Sequence, residues 1–336
     1  MYNDRSDIKI ENYNKIETNQ GKLEFLVLLA TLAPSAHNTQ PWLFKIGEDS
    51  ITVLANFERE LKYSDRQHRQ LFISVGAAIA NLEVASKAYG LDFNIEIFNH
   101  LVDNKVAIFK FNSLNAVVID IEALKDLVNR KSNRLPLNKE LIPVEVLSEI
   151  TDQVRSPVKI DFVIDDSKKE ELQKIVADSV EEAFSDSKFT DELSHWIKPN
   201  SIKYRDGMPG YTIGVPKLIS YFLPFAIKYF DLRAFQKRMH RDWLDNASIF
   251  GVVSSEKDEP YSWTMSGYYF EHMALASEAK GIRIGIMGGP VEIGSHYLNI
   301  QKVLGTTNRP QMFFRIGYGP DMPHFSPRIN YKETII

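Results

Sequence analysis

Pro34-Ser35-Ala36-His37-Asn38-Thr39-Gln40-Pro41-Trp42 is the stretch whose reading decides this chain. It follows an apolar helical run at 23–32 and precedes two short strand patterns, 42–46 and 51–54, that flank the turn Gly47-Glu48-Asp49-Ser50. Between its two prolines the stretch offers fixed backbone donors, amide side chains and a flat indole at a sheet edge. Such a set suits a planar, polar heterocycle. It equally suits a rigid helix-to-strand connector, because Pro, Ser and Asn are ordinary loop punctuation.

Outward from the loop, a helix at 70–89 is rich in small residues (Gly76, Ala77, Ala78, Ala80, Ala85) and ends at Gly90. Strands follow at 93–98 and 105–111. The plan then recurs: helix 144–154, strand 158–164, helix 168–184, a long helix at 262–280 closed by Gly281, and strands at 282–287 and 311–316. At an offset of 191, Gly76 falls on Gly267, Ala85 on Ala276, Ser86 on Ser277, Ala88 on Ala279 and Gly90 on Gly281. Similarity of two Ala-rich helices accounts for the alanines but not for matched helix ends and strand pairs. The expectation is an α+β chain of two fused, pseudo-symmetric halves, 20–125 and 126–330, with helices 70–89 and 262–280 as the seam. The stretch 184–260 has no counterpart in the first half and is expected to form an inserted lid.

Composition narrows the function. The 336 residues are 44% hydrophobic and 25% charged with net charge −4, which favours neither nucleic acid nor acidic lipid. There is no cysteine, so disulfides, iron–sulfur clusters, zinc–thiolate sites and a thiol nucleophile are excluded. The first 21 residues are polar, unlike a secretory or transit peptide, and a cytoplasmic location is expected. The apolar run 218–227 contains Pro224, lies between Lys217 and Lys228, and is too short to span a bilayer. The eight histidines show no metal-ligand spacing, and His272, in an apolar helix, reads as a core or seam residue.

Three further motifs carry chemistry. Arg130-Lys131-Ser132-Asn133-Arg134 sets two guanidiniums about a hydroxyl, an arrangement for phosphate, or else a solvated linker. Gly288-Gly289, before Pro290, lets a ligand approach main-chain N–H groups, or simply makes a tight turn. Arg328 follows Pro327 and would otherwise read as a surface arginine.

Together the PS-x-x-N-x-QPW loop at 34–42, the R-x-S-x-R element at 130–134 and Ser326-Pro327-Arg328 resemble the nitroreductase family of FMN-dependent flavoproteins, in its single-chain, internally duplicated branch. The resemblance implies a nitroreductase-like fold with central antiparallel or mixed sheets flanked by helices, and one FMN between the halves. It implies that Arg130, Ser132 and Arg134 meet the phosphate, ribityl chain or pyrimidine edge, and that Pro34, Ser35, Asn38 and Gln40 line the ring. Gly288 and Gly289 would lie near flavin N5, Arg328 would hold phosphate, and Arg134 would stabilise charge at N1/O2. No side-chain acid or base, and no metal, is implied, because the cofactor carries the chemistry. The implied activity is ping-pong hydride transfer from NAD(P)H to a nitro- or quinone-like acceptor. The alternatives are FMN sequestration under a closed lid and a protein that has lost flavin. No nucleic acid or membrane partner is expected; the chain would be an internal pseudo-dimer, with further oligomerisation left open. One departure stands out: the basic element sits in mid-chain.

Overall fold

The computed structural model describes residues 5 and 7–336; part of the polar N-terminal stretch, residues 1–4 and 6, lies outside them. The Thr18 hydroxyl accepts from the Gly21 amide and so caps α1 (Asn19–Ala30). After the 34–42 loop, β1 (Trp42–Ile46) and β2 (Ser50–Ala55) form a hairpin pairing Trp42 with Ala55. The seam helix α2 (Arg69–Ala88) leads to β3 (Asp92–Val102) and β4 (Lys105–Ser113), completing an antiparallel sheet of order β1-β2-β4-β3.

Then come α3 (Ile121–Asn129), α4 (Val144–Ile150), β5 (Val158–Val163), α5 (Asp166–Ser185) and α6 (Ser187–Trp196). Two short parallel strands follow, β6 (Ile197–Lys198) and β7 (Met208–Pro209), and after them α7 (Lys217–Ser220), α8 (Leu223–Tyr229) and α9 (Arg233–Asp245). The chain closes with β8 (Ile249–Ser255), α10 (Pro260–Ala279), β9 (Arg283–Ile286), α11 (Gly289–Glu292), α12 (His296–Leu304) and β10 (Arg309–Gly317). The second sheet has order β5-β8-β10-β9 and is also antiparallel. Each sheet is thus visited first, second, fourth, third, with a 20-residue helix between its second and third strands.

Strand β8 corrects the expected lid. Residues 249–255 are buried at every position and pair with both β5 and β10, so they belong to the second sheet and not to a cover. A strand covered on both faces reads as a continuous apolar run without alternation, which hides it in sequence. Gly251 is required there, since a Cβ would sit 2.1 Å from Cζ of Phe314. The departure from the first half is therefore the long excursion between β5 and β8, where β1 and β2 have only a tight turn.

Helices α2 and α10 cross at their glycines. A Cβ on Gly76 would lie 2.0 Å from the Thr264 carbonyl oxygen, and one on Gly267 only 1.8 Å from that of Ile73. The offset of 191 relates Gly76 to Gly267 and also Ile73 to Thr264, so each helix presents the same pair of positions to the other. His272 is a satisfied seam residue, its Nε2 3.1 Å from the Glu83 carboxylate. One apolar core joins both helices to both sheets. Helix α2, alone among the described helices in having the length and apolarity of a membrane span, is buried in this seam.

Candidate functional site

The 34–42 loop is held in an uncommon shape. His37, Asn38 and Gln40 all have positive φ, at 47°, 57° and 54°. Left-handed backbone is tolerable for Asn and costs about 1 kcal/mol for a bulkier residue, so local bonds must hold it. The Ser35 hydroxyl accepts from the Gln40 amide at 2.9 Å, and Ser74 of α2 accepts from the Ala36 amide at 3.2 Å. This leaves Pro34, Ser35 and His37 facing a cavity of about 230 Å³. Its floor is the seam itself, Ile73, Ala77, Gly267 and Phe270, and its far wall is Ile286, Gly288, Gly289 and Met312. Phe184, Phe189, Met208 and His240 close it from the inserted segment.

At one end the chamber meets a narrower recess of about 50 Å³; Pro34, Ser35, Ser132, Arg134 and Met208 line both. The recess is basic, bordered by Arg5, Arg130, Lys131, Arg134 and Arg328. Helix α3 ends where it must for this: the Arg130 amide bonds to the Asp126 carbonyl, and the 130–134 strand-like turn then pairs with β9 through Asn133 N–H to Ile284. Buried Arg130 pairs with buried Glu271 of α10, Nε to Oε1 at 2.8 Å. Burial pushes the Glu271 carboxyl up to about 7 despite the pull of Arg130, Arg328 and Arg5. Burial, with Arg130 beside it, lowers Arg328 to about 9, and burial with Arg328 and Arg130 lowers Arg5. Lys131 is neutralised by Asp321 at 2.6 Å. Two buried guanidiniums, Arg5 and Arg130, and the half-buried one of Arg328 facing one carboxylate leave a surplus of positive charge suited to an anion.

Several sequence expectations are relocated. All five N–H groups of Arg328 are engaged: Nε with Thr31 O, Nη2 with Leu32 and Ala33 O, and Nη1 with Asn38 Oδ1 and Pro327 O, at 2.8–3.0 Å. Its hydrogen bonds close the carboxyl end of α1, so only its charge is offered to the recess. Asn38 Nδ2 donates to Gly207 O and Pro327 O, both at 3.0 Å. Gln40 donates to Arg205 O at 2.9 Å and accepts from the Ile329 amide at 2.9 Å. Gln40 therefore fastens the inserted segment and the C-terminal tail to the loop, away from the chamber, and Asn38 borders only the basic recess. Trp42 is buried in the core, so the indole is no platform. Arg134 lines both compartments but already donates to Thr212 O at 3.1 Å.

Other groups were missed. Gly288 lies at the chamber because the Glu292 side chain folds back over it, its Oε1 2.3 Å from where a Cβ would be. Burial raises that carboxyl to about 7 against the pull of Arg69. His37 Nδ1 is buried with no hydrogen-bond partner among the described residues, and burial lowers the ring to about 4, so it is neutral at pH 7. Arg5 carried no motif. Glu271 had a usable signal, as a lone acid inside an apolar helical stretch.

No family model matches the chain. A Mycobacterium tuberculosis protein provisionally named NAD(P)H nitroreductase acg is 24% identical over 319 residues, covering 92% of this chain and 93% of that protein. A second M. tuberculosis protein, described as uncharacterized, is 24% identical over 308 residues, 89% of this chain and 88% of its own. Among solved structures, the FMN and NADPH-dependent nitroreductase NfnB from Sphigopyxis sp. strain HMH aligns with TM-score 0.44 and 14% identity, over 63% of this chain and 96% of that one. Along nine-tenths of its length this chain is thus similar in sequence to the first mycobacterial protein.

Proposed function

We propose that this protein is an FMN-dependent oxidoreductase of nitroreductase type, taking hydride from NAD(P)H and passing it to a nitro- or quinone-like acceptor. The observation that carries the reading is the two-part cavity: a largely apolar chamber opening at one end into a recess lined by arginines. An amphiphile with a planar ring and a phosphate fits that division of polarity. The residues present suit FMN, since buried cations outnumber their carboxylate and His37, on the chamber wall, has a buried Nδ1 without a hydrogen-bond partner. Arg130 and Ser132, with Arg5 and the charge of Arg134, would hold the phosphate and ribityl end. Pro34, Ser35, His37 and the Gly288-Gly289 main chain would border the ring.

Bound there, FMN would supply two-electron hydride exchange between a nicotinamide and the acceptor. The chain contributes position, a largely apolar chamber and a proton store. Glu292, whose carboxyl burial raises to about 7, is the group placed to hold a proton there near neutral pH. Donor and acceptor would use one chamber in turn, so ping-pong kinetics are expected. We also infer that 20–125 and 126–330 are duplicated halves, supported by their common strand order and glycine crossing.

A second reading, flavin holding without turnover, is favoured by the way the inserted segment is fastened. Asn38, Gln40 and Arg134 bind Gly207, Arg205 and Thr212, and Arg59 pairs with Asp206 at 2.5 Å. An absorbance spectrum of the purified protein tests the cofactor: a colourless preparation that takes up no added FMN ends both readings. Anaerobic stopped-flow mixing with NADPH or NADH then separates them. Bleaching within seconds supports the reductase; no bleaching over minutes leaves the holding protein.

A further inference from the structure

Two cavities meet at one side chain. Outside the chamber, helices α5 and α9 leave between them a groove of about 640 Å³, and among the described residues His240 alone lines both groove and chamber. Helix α5 explains why the two adjoin. Val176 and Ala177 line the groove, while Val180, Ala183 and Phe184, one and two turns on, line the chamber. These positions share one face of a 3.6-residue helix, so a single apolar stripe runs from the groove to the chamber wall. Helix α9 lies along α5, with Leu244 in the same apolar cluster as Val176 and Val180.

His240 is held at this junction by its own helix. Its Nδ1 lies 2.8 Å from the Gln236 carbonyl oxygen, which can only accept, so Nδ1 carries the proton and Nε2 the lone pair. The ring leans on Trp243, with centroids 5.2 Å apart. Nε2 has no hydrogen-bond partner among the described residues, and burial lowers the pKa of the ring, which is therefore neutral at pH 7. Swinging aside would cost the ring one hydrogen bond and uncover no charge. The charged Glu170, Lys174, Arg238 and Arg241 of the groove are solvent-exposed, so the neck itself offers alkyl groups and an uncharged ring. No residue of the groove lines the basic recess, and a ligand whose phosphate fills the recess leaves this border free.

We infer that the α5–α9 groove is the entrance by which uncharged, planar molecules reach the chamber, and that His240 at its neck sets the size admitted. His240 is thereby a specificity-determining residue for the acceptor. The inference rests on the chamber being the reacting site proposed above, but the entrance is testable without cofactor or turnover.

The chain has no cysteine, so a single thiol on the chamber floor reports entry. The full-length apoprotein carrying Ala77→Cys is labelled with N-ethylmaleimide or with the bulkier N-phenylmaleimide, and the rates are read by mass spectrometry. Added to it, Ala177→Phe and Ala234→Phe, one on each helix of the groove, should each slow both reagents about tenfold. His240→Ala should speed the phenyl reagent about tenfold and the ethyl reagent much less. Arg5→Ala, on the recess side, should change neither rate. Thermal melting checks that each variant folds, and Ala234, exposed on α9, tolerates a ring where the half-buried Ala177 does not. With flavin bound, His240→Ala should raise kcat/KM for a naphthoquinone relative to benzoquinone. A folded Ala77→Cys protein that resists labelling overturns the inference, as do rates indifferent to the groove variants or governed by Arg5→Ala. Labelling as expected in a protein without flavin or turnover would keep the entrance and remove the reductase reading.

Discussion

Gly267→Ala and Gly76→Ala should each destabilise the protein, and the sign makes the test sharp. Both positions lie within 20-residue helices, where alanine outranks glycine by about 1 kcal/mol in intrinsic preference. Propensity alone therefore predicts stabilisation. Packing predicts the reverse, because the new methyl would lie 1.8 Å from the Ile73 carbonyl oxygen in one variant and 2.0 Å from that of Thr264 in the other. The obstacle is helical main chain, which cannot rotate aside as a side chain does. The helices must part by more than about 1 Å along a close-packed seam. Overpacking usually costs 1–3 kcal/mol, and a main-chain obstacle places these variants at or above the top of that range, about 3 kcal/mol gross and 2 net.

The assay is thermal unfolding followed by circular dichroism, with an expected fall of roughly 3 °C for each variant. Gly305→Ala serves as control: its φ is +65° but nothing lies within 4 Å of the added Cβ. It should lose only the left-handed backbone cost, about 1 kcal/mol. The two seam variants should match each other and exceed the control. A Gly76→Ala or Gly267→Ala protein as stable as the parent would refute the close crossing, and with it the floor of the chamber.

Arg130→Ala and Ser132→Ala should lose FMN on dialysis, with Ser132→Ala melting like the parent apoprotein; full flavin occupancy in both would refute the phosphate assignment. Arg328→Ala should instead destabilise the apoprotein itself, by about 3 kcal/mol or more and so with a lower melting temperature, because it strands three buried carbonyls at the end of α1. Glu271 sits at about 7 folded against an ordinary 4.5, so between those values the folded chain keeps a proton the unfolded chain has released. Its contribution to stability therefore falls as pH rises from about 4.5 to 7 and is level above, and Glu271→Gln should flatten that slope in denaturation series. Ala77→Phe should give a folded but colourless protein, read by its spectrum against an unchanged far-ultraviolet circular dichroism.

The parts legible in sequence were those with a local signature. Helix ends at Gly90 and Gly281, the β1–β2 turn and the 130–134 element at the end of α3 all follow from neighbours within a few residues. Strand β8 was not legible, because burial on both faces removes alternation and its neighbours β5 and β10 are far away in sequence. Arg328 illustrates the deeper limit. A phosphate ligand and a helix-closing arginine look alike in a sequence, and what distinguishes them is the row of carbonyls at 31–33, almost three hundred residues earlier. In sequence Asn38 and Gln40 read as lining the ring; their positive φ turns the amides toward the inserted segment and tail.

The proposed duplication raises the question of how the two sides of the helix crossing differ. The offset of 191 answers it at the seam. Gln70, Ile73, Ser74 and Ala77 line the chamber from α2, and their counterparts on α10 are Tyr261, Thr264, Met265 and Tyr268. Where the first half has the methyl of Ala77, the second has a phenol ring whose hydroxyl bonds to Glu83. Burial works to raise the Glu83 carboxyl, but bonds from His272, Lys87 and Tyr268 outweigh it and hold the group at about 2. A carboxylate fixed in its charged form by three donors fastens Tyr268 in place. The conserved arithmetic of the crossing thus coexists with opposite fillings on its two sides: small residues leave room over α2, and a bonded tyrosine closes the matching room over α10. Asymmetry of side-chain volume, on a symmetric backbone, is what would make a single-chain pseudo-dimer a one-site protein.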